Sequence, residues 1–452
     1  TQYPIVAWGA FRAGMVIVNT NPLYTTRELE HQFNDSGASV LIALSELLPQ
    51  VAPVLPATGI DRVICTSIFD LIEAQPRPDA GIAGLISLPE VLAAGDGAEL
   101  PDVVASMNSV ALLQYTGGTT GPAKGAILTH GNIFASTQQA AHAADLEEGA
   151  REIMIAPMPL YHIYGFTMNV VSTFCAGGQS VLIPDPRNID ELINVMKQHL
   201  FTSMAGVNTL FVSMMQHPEF DEIDFSHVKG VIAGGAALVE EIATEWSQRT
   251  GSEIYEGYGL SETAATLTGN TREERQLGTV GKPMIAMEIK IVNGHGQTLG
   301  IDEEGELLVR GPQVMHGYWN RPDATAECLD DDGWFCTGDI ARIQPDGFVK
   351  ICDRLKDMIL VSGFNVYPNE IEGVVYTHPD VVECAAVGVP DEKSGEAVKL
   401  YVVSSNSELT AEALRVFCRE QLTAYKVPRF IEFNDELPKS NVGKILRREL
   451  RS

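Results

Sequence analysis

Two periodicities alternate through the middle of the chain, and no other feature limits the fold as tightly. Segments with apolar residues at helical spacing (Asn132–Ala144, Ile189–His199, Val239–Thr250) are interleaved with short apolar runs (Ile153–Ala156, Val181–Ile183, Gly230–Ala233). Such alternation predicts an α/β domain: a largely parallel sheet covered by helices, with ligands at the loops leaving the strands. The opening obeys the same rule. Helical spacing over Pro4–Gly14 leads to a strand at Met15–Val18. A Thr25/Glu28 capping box then starts a helix that ends near Gly37, before a strand at Val40–Ala43. Residues 46–105 mix Pro, Gly and Ala with weak periodicity.

From about Met287 the texture changes to short strands and turns: Glu288–Val292, Asn293-Gly294, Glu306–Val309, Phe348–Ile351. This predicts a small β subdomain over about 287–352. Beyond Asp353 a compact α+β pattern ends in the basic tail Leu437–Ser452. At 452 residues the chain exceeds what one hydrophobic core serves, so two domains are expected, 1–352 and 353–452.

Between the apolar runs Val110–Leu113 and Ala126–Leu128 lies Tyr115-Thr-Gly-Gly-Thr-Thr-Gly-Pro-Ala-Lys-Gly125. Gly117, Gly118 and Gly121 let backbone N–H groups converge on an anion, while Thr116, Thr119, Thr120 and Lys124 add hydroxyl donors and a positive charge. A flexible hairpin turn would explain the glycines but not the donors among them. The loop reads as a phosphate cradle. It is not a Walker A loop, because Ala123 stands where a glycine must precede the lysine.

A formal charge of −28 argues against nucleic-acid binding, so an anionic substrate needs a locally positive site. The seven cysteines show no C-x-x-C and no zinc spacing, which favours a reducing cytoplasm and indicates no structural metal. The longest uncharged stretch, Ile163–Pro184, is broken by Gly177-Gly178 and reads as a buried helix followed by a strand at Ser180–Ile183.

Six ordered motifs carry a resemblance. They are the phosphate loop, Pro159-Leu-Tyr-His-Ile-Tyr-Gly165, Glu256-Gly-Tyr-Gly-Leu-Ser-Glu262, Thr337-Gly-Asp339, Asp353-Arg-Leu-Lys-Asp357 and Pro438-Lys-Ser-Asn-Val-Gly-Lys444. The chain resembles the acyl-adenylate-forming (ANL) superfamily over essentially its whole length. Ile359–Glu372 and Leu437–Leu450 look most like bacterial long-chain fatty acyl-CoA synthetases. The resemblance implies the ANL fold, a start truncated relative to the family, and a hinge at Asp353. It implies ATP, Mg²⁺ and coenzyme A, with a fatty acid activated to acyl-AMP and passed to CoA. It leaves room for a homodimer and for peripheral contact at the inner membrane face.

The same resemblance implies roles. Lys444 bridges the carboxylate and α-phosphate, and Glu262 holds Mg²⁺ with Thr116 as hydroxyl partner. Tyr258, beside Gly259 and Ser261, offers adenine a face, and Gly234-Gly235-Ala236 lines the adenine and the acyl carboxylate. Asp339 and Arg354 take the ribose, with a plain interdomain salt bridge as the alternative. Gly363-Phe364-Asn365 replaces Lys444 after domain rotation and lines the pantetheine channel. His162 lines the mouth of the acyl pocket; a carboxylate needs no general base at neutral pH. The acyl chain is expected among Tyr161–Phe166, Gly206–Phe211 and Ala264–Thr266. Two other functions remain open on the residues alone: transfer to a carrier protein, and nucleotide binding without turnover.

Overall fold

A computed structural model of the chain describes residues 2–73, 78, 80–100, 102–103, 105–116, 122–144, 152–391, 393–440 and 443–451. The expected parallel sheet is present. Its strands lie in the order Gln179–Leu182, Ile153–Ala156, Ser203–Gly206, Gly230–Ala233, Ile254–Tyr258, all parallel. Two short strands, Thr268–Gly269 and Lys282–Pro283, extend the sheet in antiparallel fashion. Their connecting loops are too short for the crossover helix that a parallel neighbour requires.

Helices Ile189–Gln198, Asn208–Met215 and Glu240–Thr250 pack on this sheet. The Asn188 side chain caps the first of them by accepting from Glu191 N at 3.2 Å. Trp246 is fully buried, its ring 5.4–5.6 Å from those of Phe211, Phe220 and Phe225 and its Nε1 donating to Ser252 Oγ at 3.1 Å.

A three-stranded sheet places Ile17–Asn19 parallel to Val110–Thr116, which pairs antiparallel with Lys124–Thr129. The strand expected at Met15–Val18 begins at Ile17, and Met15 and Val16 are exposed. Helix Thr26–Ser36 has the Thr25/Glu28 capping box and ends at left-handed Gly37, as its sequence predicts. The strand expected at Val40–Ala43 forms as Val40–Leu44 and belongs to a second parallel sheet, whose other strands, Arg62–Thr66 and Ile86–Ser87, lie in the weakly periodic segment. One side of its edge strand stays partly exposed at Val40, Ile42 and Leu44, so the usual contrast between apolar and polar faces is missing.

The β subdomain is a four-stranded antiparallel sheet of Glu288–Val292, Gly305–Arg310, Phe335–Ile343 and Val349–Arg354. Its last strand runs through Asp353. The C-terminal part has its own five-stranded sheet (Ile359–Val361, Phe364–Val366, Val381–Asp391, Gly395–Ser404, Phe430–Phe433), helices Pro368–Tyr376 and Ala411–Gln421 with a short one at Arg447–Leu450, and a separate core. The uncharged stretch forms a wholly buried π-helix, Gly165–Ser172, that continues through Thr173–Cys175 and precedes strand Gln179–Leu182. Among the described residues no helix is long and apolar enough to cross a membrane.

Trp246→Ala should cost about 3–5 kcal/mol, because a cavity opens among three aromatic rings that cannot collapse into it. A shifted denaturant midpoint would measure it.

Candidate active site

The site forms where the parallel strands end. Ala233 pairs with Gly206 on one side and Glu256 on the other, so three C-terminal strand ends lie level. The loops beyond them carry Val207–Thr209, Gly234–Leu238 and Gly259–Glu262 into one cleft of about 2,580 Å³. Buried Glu256 ties the Gly234–Leu238 loop to the strand Ile254–Tyr258, since its Oε1 accepts from Leu238 N at 3.0 Å. Burial pushes its carboxyl up to about 8.

The turn after Glu262 is under backbone strain. Ala264 and Ala265 have φ of 49° and 89°, the left-handed region that alanine disfavours. The Ser136 and Thr167 hydroxyls hold it by donating to Ala264 O at 2.6 and 3.1 Å. A Cβ at Gly259 would lie 1.9 Å from Ala265 O, so only glycine fits beneath the turn.

The β subdomain supplies the opposite wall. Asp339 and Arg354 are directly paired across adjacent strands, and Arg354 Nε meets Asp339 Oδ1 at 2.6 Å. Asp339 Oδ2 accepts the Tyr258 hydroxyl, which bonds this sheet to the parallel one. The alternative considered from sequence is an interdomain salt bridge; the ion pair is present, but both residues belong to adjacent strands of one sheet.

Thr116 pairs with Lys124 in register, so the glycine-rich loop connects the two strands of a hairpin. Gly117, Gly118, Thr119, Thr120 and Gly121 lie outside the described residues. Both stems of the loop are clamped. Tyr115 donates to Asp35 Oδ2 at 2.7 Å, and Asp35, nearly buried, also pairs with Arg321. Trp319 Nε1 donates to Asp35 O at 3.1 Å, and Trp319 N donates to Gly125 O at 2.8 Å. Between them Tyr318 donates to Glu262 Oε1 at 2.8 Å, with the Lys124 ammonium 4.5 Å from its ring centroid.

Lys444 reaches into the cleft from the C-terminal segment and stays in contact with water. Desolvation by the surrounding protein, then the charge of Arg354, draws its ammonium down to about 8. Gly443 sets its position: a Cβ there would lie 2.8 Å from Thr209 Oγ1, and its φ of 78° also excludes most side chains. Half-buried His162 is pushed down to about 4 by desolvation and by Lys444, so its ring is neutral near pH 7. Asp353 is buried; it accepts from Asn369 N at 2.8 Å and pairs with Arg447 at 3.2 Å. Burial raises its carboxyl to about 6 against the pull of Arg447.

Of the residues singled out in the sequence and described here, Thr116, Lys124, His162, Gly234, Gly235, Ala236, Tyr258, Gly259, Ser261, Glu262, Asp339, Arg354, Asn365 and Lys444 line this cleft. Gly363 and Phe364 do not. Phe364 is exposed and stacked on Tyr425 at 4.8 Å. Asp35, Glu256, Arg321, Tyr318 and Arg447 were not anticipated. The aromatic–Arg–Pro run Gly317–Pro322 was the one available signal for the clamp.

Residues 1–319 match the AMP-binding enzyme family and 370–444 match the AMP-binding enzyme C-terminal domain. The chain belongs to this family of adenylate-forming enzymes. It is similar to the long-chain-fatty-acid–CoA ligase of Yersinia pestis, at 46% identity over 100% of this chain and 83% of that protein. The protein of the same name from Bacillus subtilis is 37% identical over 99% of this chain and 83% of its own length. Among solved structures, ATP-bound MatB from Rhodopseudomonas palustris superposes with a TM-score of 0.87 at 28% identity, covering 100% of this chain and 86% of that one.

Asp35→Ala should lower stability by about 1–3 kcal/mol, since the Tyr115 hydroxyl and the Arg321 guanidinium both lose a partner. Denaturant unfolding would measure the loss.

Proposed function

We propose that this chain activates a long-chain fatty acid with ATP and transfers it to coenzyme A. The observation that carries the reading is the make-up of the cleft. It is lined by charged Lys124, Glu262, Asp339, Arg354 and Lys444 and also by apolar Ala140, Met154, Met158 and Met168. The names of relatives similar along the whole chain supply the same substrate class.

In the first half-reaction a carboxylate oxygen attacks the α-phosphorus and pyrophosphate leaves, giving acyl-AMP. Two anions must meet, so catalysis rests on positioning and on cations preorganised where charge converges. Lys444 stands between the carboxylate and the α-phosphate. Asp339 keeps lone pairs for the ribose hydroxyls beyond those used by Arg354 and Tyr258. The Tyr258 ring and the 234–236 backbone flank adenine. Neutral His162 shapes the mouth of the acyl pocket.

Glu262 with the Thr116 hydroxyl fits Mg²⁺, which takes few protein carboxylates and completes its shell with phosphate oxygens and water. Among the described residues no group of three or more His, Cys, Asp or Glu could hold a metal alone. When bound, Mg²⁺ would supply charge neutralisation on the triphosphate.

In the second half-reaction the CoA thiol attacks the acyl carbon, its proton passes to solvent and AMP leaves. Rotation of the 353–452 domain about Asp353 would withdraw Lys444 and bring in the exposed hairpin at Gly363-Phe364-Asn365. Among the described residues no cysteine forms a disulfide, which suits a reducing cytoplasm.

Product analysis by mass spectrometry tests the reading: CoA-dependent long-chain acyl-CoA is expected, and acyl-AMP accumulating despite CoA would refute it. Lys444→Ala should lower acyl-AMP formation about 10²–10³-fold. The ammonium is lost as pH rises through about 8. Hence kcat/KM for ATP should fall above that pH, and Lys444→Arg, which stays charged, should remove the alkaline limb from whatever activity it retains.

A further inference from the structure

The geometry points to Tyr318 as a positioning residue that holds Glu262 and Lys124 apart in the orientation that a metal–triphosphate complex requires. This rests on the reading of Glu262 as the metal-holding carboxylate.

Three observations converge on it. The Tyr318 hydroxyl donates to one oxygen of Glu262, Oε1, at 2.8 Å. Such a bond fixes the carboxylate about its long side chain and leaves the second oxygen and the remaining lone pairs for a cation. The face of the same ring takes the Lys124 ammonium, 4.5 Å from the centroid. No ion pair joins Lys124 to Glu262 among the described residues, although one aromatic side chain touches both. A lysine free to swing onto the carboxylate would neutralise the charge that attracts the metal and withdraw its own charge from phosphate.

The ring cannot easily drift. Tyr318 N donates to Thr325 Oγ1 at 2.9 Å, and Thr325 Oγ1 donates to Arg321 O at 2.9 Å. Tyr318 forms an isolated bridge with Ala126, and the next residue bonds Gly125 O. The Arg321–Asp35–Tyr115 linkage then anchors this strap to the other stem of the loop.

The test compares Tyr318→Phe, Tyr318→Leu and Glu262→Gln in the full chain. ATP binding is measured by calorimetry while MgCl₂ is titrated, and again in EDTA, with thermal unfolding as the folding control. Tyr318→Phe keeps the ring and loses only the hydroxyl. It should raise the Mg²⁺ concentration for half-maximal ATP affinity about tenfold, as expected for a lost hydrogen bond to a charged group, with metal-free ATP binding unchanged. Tyr318→Leu should in addition weaken metal-free binding, because Lys124 is released towards Glu262. If Glu262→Gln shifts the Mg²⁺ dependence and Tyr318→Phe does not, the positioning role is overturned and the metal role stands. If Glu262→Gln leaves the dependence unchanged, the metal role falls, and the proposal with it.

Discussion

The buried carboxylate of Asp339 is the joint on which the cleft depends. A charge held away from water is costly unless charged and hydrogen-bonding partners surround it. Here one partner, Arg354, comes from the neighbouring strand of the same sheet, and the other, the Tyr258 hydroxyl, comes from the end of the parallel sheet. Satisfying this one group therefore bonds the two sheets together and sets the width of the space between them. The groups that would meet a nucleotide inherit their spacing from that bond.

The opposite wall is held by strain and close packing. The left-handed alanines after Glu262 persist because hydroxyls of two helices bond the carbonyl between them, and because Gly259 leaves the turn room. Such a turn stores conformational energy that surrounding packing must offset, and in return it aims Glu262 without relying on its flexible side chain. The strap Gly317–Arg321 does similar work for the glycine-rich loop, gripping both of its stems at Tyr115 and Gly125.

Charge follows the same logic of local arrangement. The chain carries a formal −28, yet Lys124, Arg354 and Lys444 gather in one cleft. Crowding draws Lys444 down to about 8, and His162 beside it is left neutral. Three basic side chains thus stand in one cleft of an acidic protein, beside the carboxylates Glu262 and Asp339, with solvent kept partly away so that each charge acts more strongly.

Much of this was legible in the linear chain. The strands Ile153–Ala156 and Gly230–Ala233, the capped helix after Thr25 and the change of texture near Met287 follow from residue spacing, because helix and strand periods are local properties. The glycine- and threonine-rich loop could be picked out from its local chemistry, whereas Lys444, Glu262, Asp339 and Arg354 were singled out by the resemblance of their motifs to a family. The strands Arg62–Thr66 and Ile86–Ser87, partners of the expected strand at Val40, escaped notice because the weakly periodic residues 46–105 do not separate cleanly into buried and exposed faces.

What only the tertiary structure decided were the partnerships between elements. Asp35 with Arg321, Glu256 with Leu238 and Tyr318 with Glu262 join separate elements, and although some members lie in recognisable motifs, no local pattern says which residue meets which. The sequence by itself determined which elements form and which chemistry they carry. The folded chain decided which charge meets which donor, because that depends on strand register, on level strand ends, and on glycines that permit backbone to approach backbone.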